Sequence, residues 1–345
     1  MQNLAIKRLA FLLFFIASPL LADASGLQMS VAVDSYFKMG SAGDGRANHP
    51  EVRESEINIF APIDHLFDGL LTIAAHAEDT GTFYELHEAY IRSTKAIPNT
   101  RFRIGQFFLG IGRLNRFHRH DWYFITSPKT HTEFFGDEGV VDAGAEASML
   151  LPTPFFWDLT VGITRGWTFG HSHGLGELPK VPVHYVRSAH YADLPGDGGT
   201  EIGLNYLGRT IADGTAFQYA GLDGAAKWRE GKILRWLIQS EGWARKQVPS
   251  GGASETLAGG YVFAQYGLTE SWSVGLRADY FTNTSLADVA GNPIANSTTA
   301  IVPTVTWKPS EFSRFSVAYT NENTGRQAVE CQATFVIGAH PAHLF

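Results

Sequence analysis

The chain has one cysteine, Cys331, in 345 residues, so no internal disulfide can staple it and packing with backbone hydrogen bonding must hold the fold. Charged side chains are scarce at 18%, against about a quarter in soluble domains. Together with the plentiful aromatics, that deficit excludes a disordered chain. Long apolar runs are missing as well: beyond residue 25 none approaches the ~20 residues a membrane-spanning helix requires. No block of Lys and Arg occurs, and 27 basic against 34 acidic residues give a net charge of −7, which removes any general attraction for nucleic acid. Capped segments with an apolar i, i+4 stripe are few. Aromatics, at 13%, and glycine, with 36 copies, are plentiful.

The opening residues read as a secretion signal. Lys7 and Arg8 precede an apolar run from Leu9 to Leu21, and Ala22-Asp23-Ala24 supplies a small-residue cleavage site. Residues 1–24 are therefore expected to be removed, leaving 25–345 as one domain. With no spanning helix available, a secreted chain that enters a membrane must do so as a closed barrel, because lipid satisfies no backbone group.

After the signal the chain alternates with period two. Along residues 271–280, Trp272, Val274, Leu276, Ala278 and Tyr280 share one face, and Ser273, Gly275, Arg277 and Asp279 share the other. The same division runs through residues 154–166, 199–208 and 328–339. Further such segments lie near 27–38, 52–61, 66–77, 82–93, 100–107, 139–150, 182–192, 215–228, 232–243, 256–266, 271–281, 298–307 and 312–320. These make about sixteen strands of membrane-spanning length, an all-β, antiparallel, up-and-down transmembrane barrel. Connections alternate between tight turns and longer Gly/Asn/Ser/Pro segments, as expected when one barrel end faces the periplasm and the other the medium. The longest, 109–138, is the third outward loop.

Five stretches carry a family likeness: GQFFLGIGRLN at 105–115, HRHDW at 118–122, EFFGDEG at 133–139, FGHSHG at 169–174 and GAHPAHLF at 338–345. They resemble the sixteen-stranded Gram-negative outer-membrane porins, in particular the clan of the phosphate-selective porins O and P. A nearer likeness is to uncharacterised proteins, some labelled zinc-regulated TonB-dependent outer-membrane receptors. A TonB-dependent transporter has a larger barrel and an N-terminal plug; here alternation begins directly after the signal, so active transport is not expected. The resemblance implies a porin in the cell outer membrane, allowing passive diffusion of small hydrophilic solutes or ions, with homotrimers possible. It also implies that Phe345 engages the barrel assembly machinery and that the third loop folds into the lumen as a constriction.

The loop sets Arg113, Arg116, Arg119 and Lys129 against Asp121, Glu133, Asp137 and Glu138, with His118, His120 and His131 besides, a balance that gives a transverse field without a decided ion preference; the constriction candidates are Arg113, Arg116, His118, Arg119, His120, Asp121 and Glu133. Lumen-wall candidates are Arg101, Arg103, Glu146, Arg235, Arg277, Asp279 and Arg314. No resident cofactor is expected, yet 13 His raise a metal alternative: His118 with His120 and His171 with His173 are i, i+2 pairs that could ligate zinc, making divalent-metal uptake, or anion uptake, the second reading. A barrel enzyme is the third. Gly170-His-Ser-His-Gly174 matches G-x-S-x-G but lacks the strand–turn–helix setting of a nucleophile elbow, and the glycines at 105–112 lack a βαβ context, so no catalytic residue is assigned.

Overall fold

In a computed structural model of the chain, the structure describes residues 26–40, 48–78, 81–166, 169, 179–284 and 296–338. The strands are β1 (Gln28–Gly40), β2 (Pro50–Pro62), β3 (Asp68–Glu78), β4 (Gly81–Ile97), β5 (Thr100–Phe108), β6 (Val141–Leu150), β7 (Phe156–Thr164) and β8 (Val181–Leu194). They continue as β9 (Gly198–Thr210), β10 (Ala216–Glu230), β11 (Ile233–Val248), β12 (Glu255–Gly267), β13 (Trp272–Asn283), β14 (Ser297–Ser310), β15 (Ser313–Glu322) and β16 (Gln327–Gly338). Each pairs antiparallel with its chain neighbours, and β1 closes on β16 from Ser30 opposite Gly338 to Gly40 opposite Ala328. No edge is left to pair with another chain or to meet lipid unsatisfied.

All sixteen expected strands are present; the largest departures are β4, which runs on to Ile97, and β11, which runs on to Val248. The alternation separates outside from inside as the sequence implies: Leu276 is 50% exposed on the outer face and its neighbour Arg277 only 2%. Aromatic rings ring the outer face at the tight-turn end, with Trp272 stacked on Trp307 at 5.9 Å, Trp307 on Phe315 at 5.2 Å and Trp236 beside Tyr266 at 4.7 Å. Amphipathic rings of this kind sit at a membrane–water interface. At the same end Asn99 and Asp197 take positive φ of 56° and 57°, which their short polar side chains tolerate in tight hairpins.

Two expectations need correction. The inner face is not uniformly wet: Leu207, Leu237, Trp243 and Phe263 point inward and are buried, because the long loop packs on them. Strict alternation also fails where the ladder shifts register, at six places, and three of these bulges bear on the candidate residues. Asp34 pairs with Glu54 but Ser35 with Val52, so Arg53 is an extra residue and Arg53 and Glu54 both point inward. Thr72 pairs with Glu88 but Ile73 with Leu86, so His87 and Glu88 likewise both face in. The third bulge, between Trp228 and Arg229, opposes β11. There Leu234 joins the lumen packing and Arg235 lies over the Tyr266 ring beside Glu230, so Arg235 is not a lumen-wall residue. The signal segment, His171, His173, the G-x-S-x-G serine and Phe345 lie outside the described residues.

Candidate functional site

The loop 109–140 leaves β5 and turns into the bore. Asn115 stitches its neck: the side-chain amide donates to the carbonyls of Leu109 at 2.8 Å and Val140 at 3.2 Å, and its oxygen accepts from the Val140 N–H at 2.5 Å. The wall residue Glu146 receives Gly110 N at 2.9 Å, Arg103 Nε at 2.9 Å and the Tyr185 hydroxyl at 2.7 Å. Gly112, at φ +57°, donates to Asn205 at 2.8 Å, and the next two amides, Arg113 and Leu114, both donate to Glu241 on β11. A Cβ at Gly112 would lie 2.7 Å from the Glu241 carboxylate, so close approach and the left-handed backbone both require glycine there.

Beyond the neck the loop crosses the lumen. It forms two short 3-10 turns, Leu114–Arg116 and Arg119–Asp121, and one helix, α1 (Lys129–Phe135). Phe134 and Phe135 of α1 pack with Ile111 on Val183, Leu207, Tyr219 and Trp243 of the wall. Leu114, Trp122 and Phe124 pack on Leu237, Tyr261 and Phe263. Ile125 reaches Val302 on β14. Between these contacts three wall arginines hold loop carbonyls that no ladder satisfies: Arg53 donates to Ile125 at 3.0 Å, Arg314 to Trp122 at 2.7 Å and also to His120, and Arg277 to Thr126. Arg277 pairs with Asp279 at 2.9 Å, so Asp279 orients the guanidinium that clamps the loop.

The remaining sequence candidates divide. Arg116 bonds Glu201 at 2.8 Å and Arg101 bonds Asp158 at 3.2 Å; both border a 280 Å³ cavity against β4–β8. Asp121 lines cavities of 620 and 740 Å³ that open toward the tight-turn end. Glu133 sits on the outer side of α1, bonded to Lys129 at 2.7 Å, and joins no cluster. His118 and His120 share a side, with rings stacked at 5.5 Å, and donor atoms of His118, His87, Glu54 and Glu56 lie within 4.8 Å of one another. His118 is fixed by Glu56 at 2.7 Å and Glu88 at 3.0 Å. Burial opposes its charge, yet the two carboxylates outweigh it and hold the imidazole well above the usual histidine value.

His118 belongs to a larger polar cluster that sequence reasoning did not assemble. Glu54 and Glu56 on β2, His76 on β3, and Glu85, His87 and Glu88 on β4 face the loop's His118, Arg119, His120 and Glu138. Glu54 stands directly opposite His76, and Ala74, fully buried, separates Glu56 from Glu85 and leaves room between them. Arg119 reaches Glu138 at 2.7 Å and Glu54 at 3.7 Å. The second carboxylate oxygens of Glu54 and Glu56 are buried without a hydrogen bond. The sequence signal was the pairing of E-x-E and E-x-H on strands joined by short hairpins, a pattern less visible than the two H-x-H pairs.

No family model matches the chain. A protein of Aquifex aeolicus (strain VF5), described as uncharacterized, is 26% identical over 350 residues, covering 88% of this chain and 73% of its own length. The anion-selective porin from Comamonas acidovorans superposes with a TM-score of 0.63 at 8% identity, over 91% of this chain and all 100% of that porin. The trimer form of OmpT, an outer membrane protein of Vibrio cholerae, gives 0.60 at 11% identity over 91% of this chain and 100% of the other. With its closed sheet, apolar outer face, aromatic ring and a third loop turned inward, the chain has the sixteen-stranded porin fold and is a β-barrel of the bacterial outer membrane.

Proposed function

We propose that the protein is a porin through which small hydrophilic solutes or ions diffuse passively, with the loop 109–140 as its constriction. The observation that carries this reading is the loop's position: its backbone is bonded to lumen-facing Glu241 on β11, Arg277 on β13, Arg314 on β15 and, past the closure, Arg53 on β2. A loop so placed sets the size and field of whatever passage the barrel has. Beneath it the bore widens into the cavities of 620 and 740 Å³, and beside it runs the 280 Å³ cavity whose arginines Arg101, Arg103, Arg116 and Arg187 alternate with Glu88, Glu146 and Asp158. Paired charges along a narrow wall favour hydrated polar solutes over apolar ones. The trimer form of the similar Vibrio cholerae protein supports a homotrimer here.

The test is planar-bilayer recording of the purified protein beside a variant in which residues 114–136 are replaced by a short Gly/Ser linker. Discrete steps in the native protein, and steps several-fold larger in the variant, are the expected result. Absence of steps in both, from preparations that show β-sheet circular dichroism, would end the porin reading.

A further inference from the structure

The geometry points to a divalent-metal site of the zinc class in the polar cluster, with His76, His87 and Glu85 on the wall and Glu138 on the loop as its ligands. It is independent of whether solute passes the barrel. His76 Nε2, His87 Nε2 and Glu85 Oε1 form a triangle with sides of 2.9, 2.9 and 3.0 Å. In a tetrahedral zinc site with bonds near 2.0–2.1 Å the donor atoms lie about 3.3 Å apart, so a spread of a few tenths of an ångström admits the ion. The second oxygen of Glu138 lies 3.7 Å from His87 Nε2, and donor atoms of Glu54, His76, His87 and Glu138 all lie within 4.8 Å of one another, so the loop carboxylate is in reach as the fourth ligand.

The surroundings of His87 select the same state. Glu56 lies 2.8 Å from its Nδ1. A ring that donates its Nδ1 proton to a carboxylate offers its Nε2 lone pair, the arrangement that orients metal-binding histidines. Four carboxylates, Glu54, Glu56, Glu85 and Glu138, crowd the two rings, and buried Glu54 has an oxygen without a hydrogen bond. A divalent cation placed where the two nitrogens and Glu85 converge offsets that crowding of negative charge. Two nitrogens with two carboxylates suit zinc better than calcium or magnesium, which take oxygen. Glu85 is the most accessible ligand, at 22% side-chain exposure, and gives the ion its entry. Because Glu138 lies on the returning limb of the loop, the metal would tie loop to wall, with Arg119 holding the far oxygen of the same carboxylate at 2.7 Å.

The full-length protein, purified in detergent and stripped with a chelator, is dialysed against Zn²⁺ and its metal content measured. About one zinc per chain is expected. His87→Ala and His76→Ala should each lower the affinity by more than 100-fold, Glu56→Gln by roughly 10- to 100-fold as a ligand-orienting residue, and His118→Ala by no more than a few-fold. Should a histidine variant fail to show β-sheet circular dichroism, Glu85→Gln at the partly exposed corner replaces it, read by the visible bands of bound Co²⁺, which it should abolish. No zinc retained by the native protein, or undiminished binding in folded His76→Ala or Glu85→Gln, would overturn the site. Loss of binding in His118→Ala with retention in His76→Ala would overturn it too, moving the ligands to the other side of His87.

Discussion

The long loop meets the barrel wall in two unlike ways. Toward β8–β13 it is held by rings and aliphatic chains, with Phe135 edge-on to Trp243 at 4.9 Å and Phe124 to Phe263 at 5.3 Å. Toward β2–β4 it is held by imidazole, guanidinium and carboxylate groups, with two strand bulges turning extra residues inward. Burial is non-directional and roughly proportional to area, so the apolar side sets how firmly the loop sits. The polar side costs desolvation for each group it encloses, and contributes position in return: a ring or carboxylate there has one geometry that satisfies it. Firmness on one side and placement on the other divide the work of holding an irregular backbone in a bore.

The largest test of this division is Trp243→Ala. Removing a buried aromatic costs about 3–5 kcal/mol at a well-packed site, and here the loss falls on the seat of α1. Amide exchange across residues 109–140 should accelerate by at least two orders of magnitude while β1–β4 and the ladder of the barrel stay protected. Unchanged exchange in the loop would show that the apolar side does not carry the docking energy.

Glu241→Gln is the intermediate case, a single polar anchor set among the apolar contacts. The carboxylate accepts the amides of both Arg113 and Leu114, and charge-assisted bonds of this kind contribute about 1.5–3 kcal/mol. Exchange at those two amides should rise roughly tenfold or more, with α1 still seated on Trp243. If α1 opened to the same degree, the two kinds of contact would be one cooperative unit and the comparison would fail.

How much of this was legible beforehand tracks the same division. Strand count and the outward set, Trp272, Val274, Leu276 and Tyr280 among them, were readable because period two is a local property of the chain. The loop's inward course followed from its length and the family likeness. The apolar inner seat was not readable. Along β11 both parities carry large side chains, Trp236 and Ile238 outward, Leu237 and Trp243 inward, and alternation cannot say which set meets lipid and which meets a folded loop. Nor were the bulges at Arg53 and His87 readable, since a bulge exists only relative to the partner's register. With His87 hidden, the cluster of His76, Glu85 and Glu138 stayed hidden, and the H-x-H pair at 118 and 120 drew the attention that the E-x-H at 85 and 87 needed.

The finest test separates the sides by pH, using a residue whose chemistry belongs to neither. His131 lies in α1 between Trp122 at 5.3 Å and Phe135 at 5.5 Å, with neither ring nitrogen hydrogen-bonded. Burial alone pushes its value down to about 3, far below the 6.5 of a free imidazole. The docked loop therefore holds the neutral ring, whereas a released loop takes up a proton once the pH falls below about 6.5. Docking on the apolar side is at full strength above that pH and weakens by about 1.4 kcal/mol per unit as the pH drops toward 3. His131→Leu keeps an apolar side chain of similar bulk with no proton to gain. Between pH 6 and pH 4 the native loop should open more readily with each unit of acid, and the variant should lose that increment while keeping whatever the carboxylates of the polar side contribute. Parallel curves for the two proteins would mean that acid acts on the β2–β4 side alone, and that the aromatic seat around His131 stays dry and closed even when that imidazole is asked to charge.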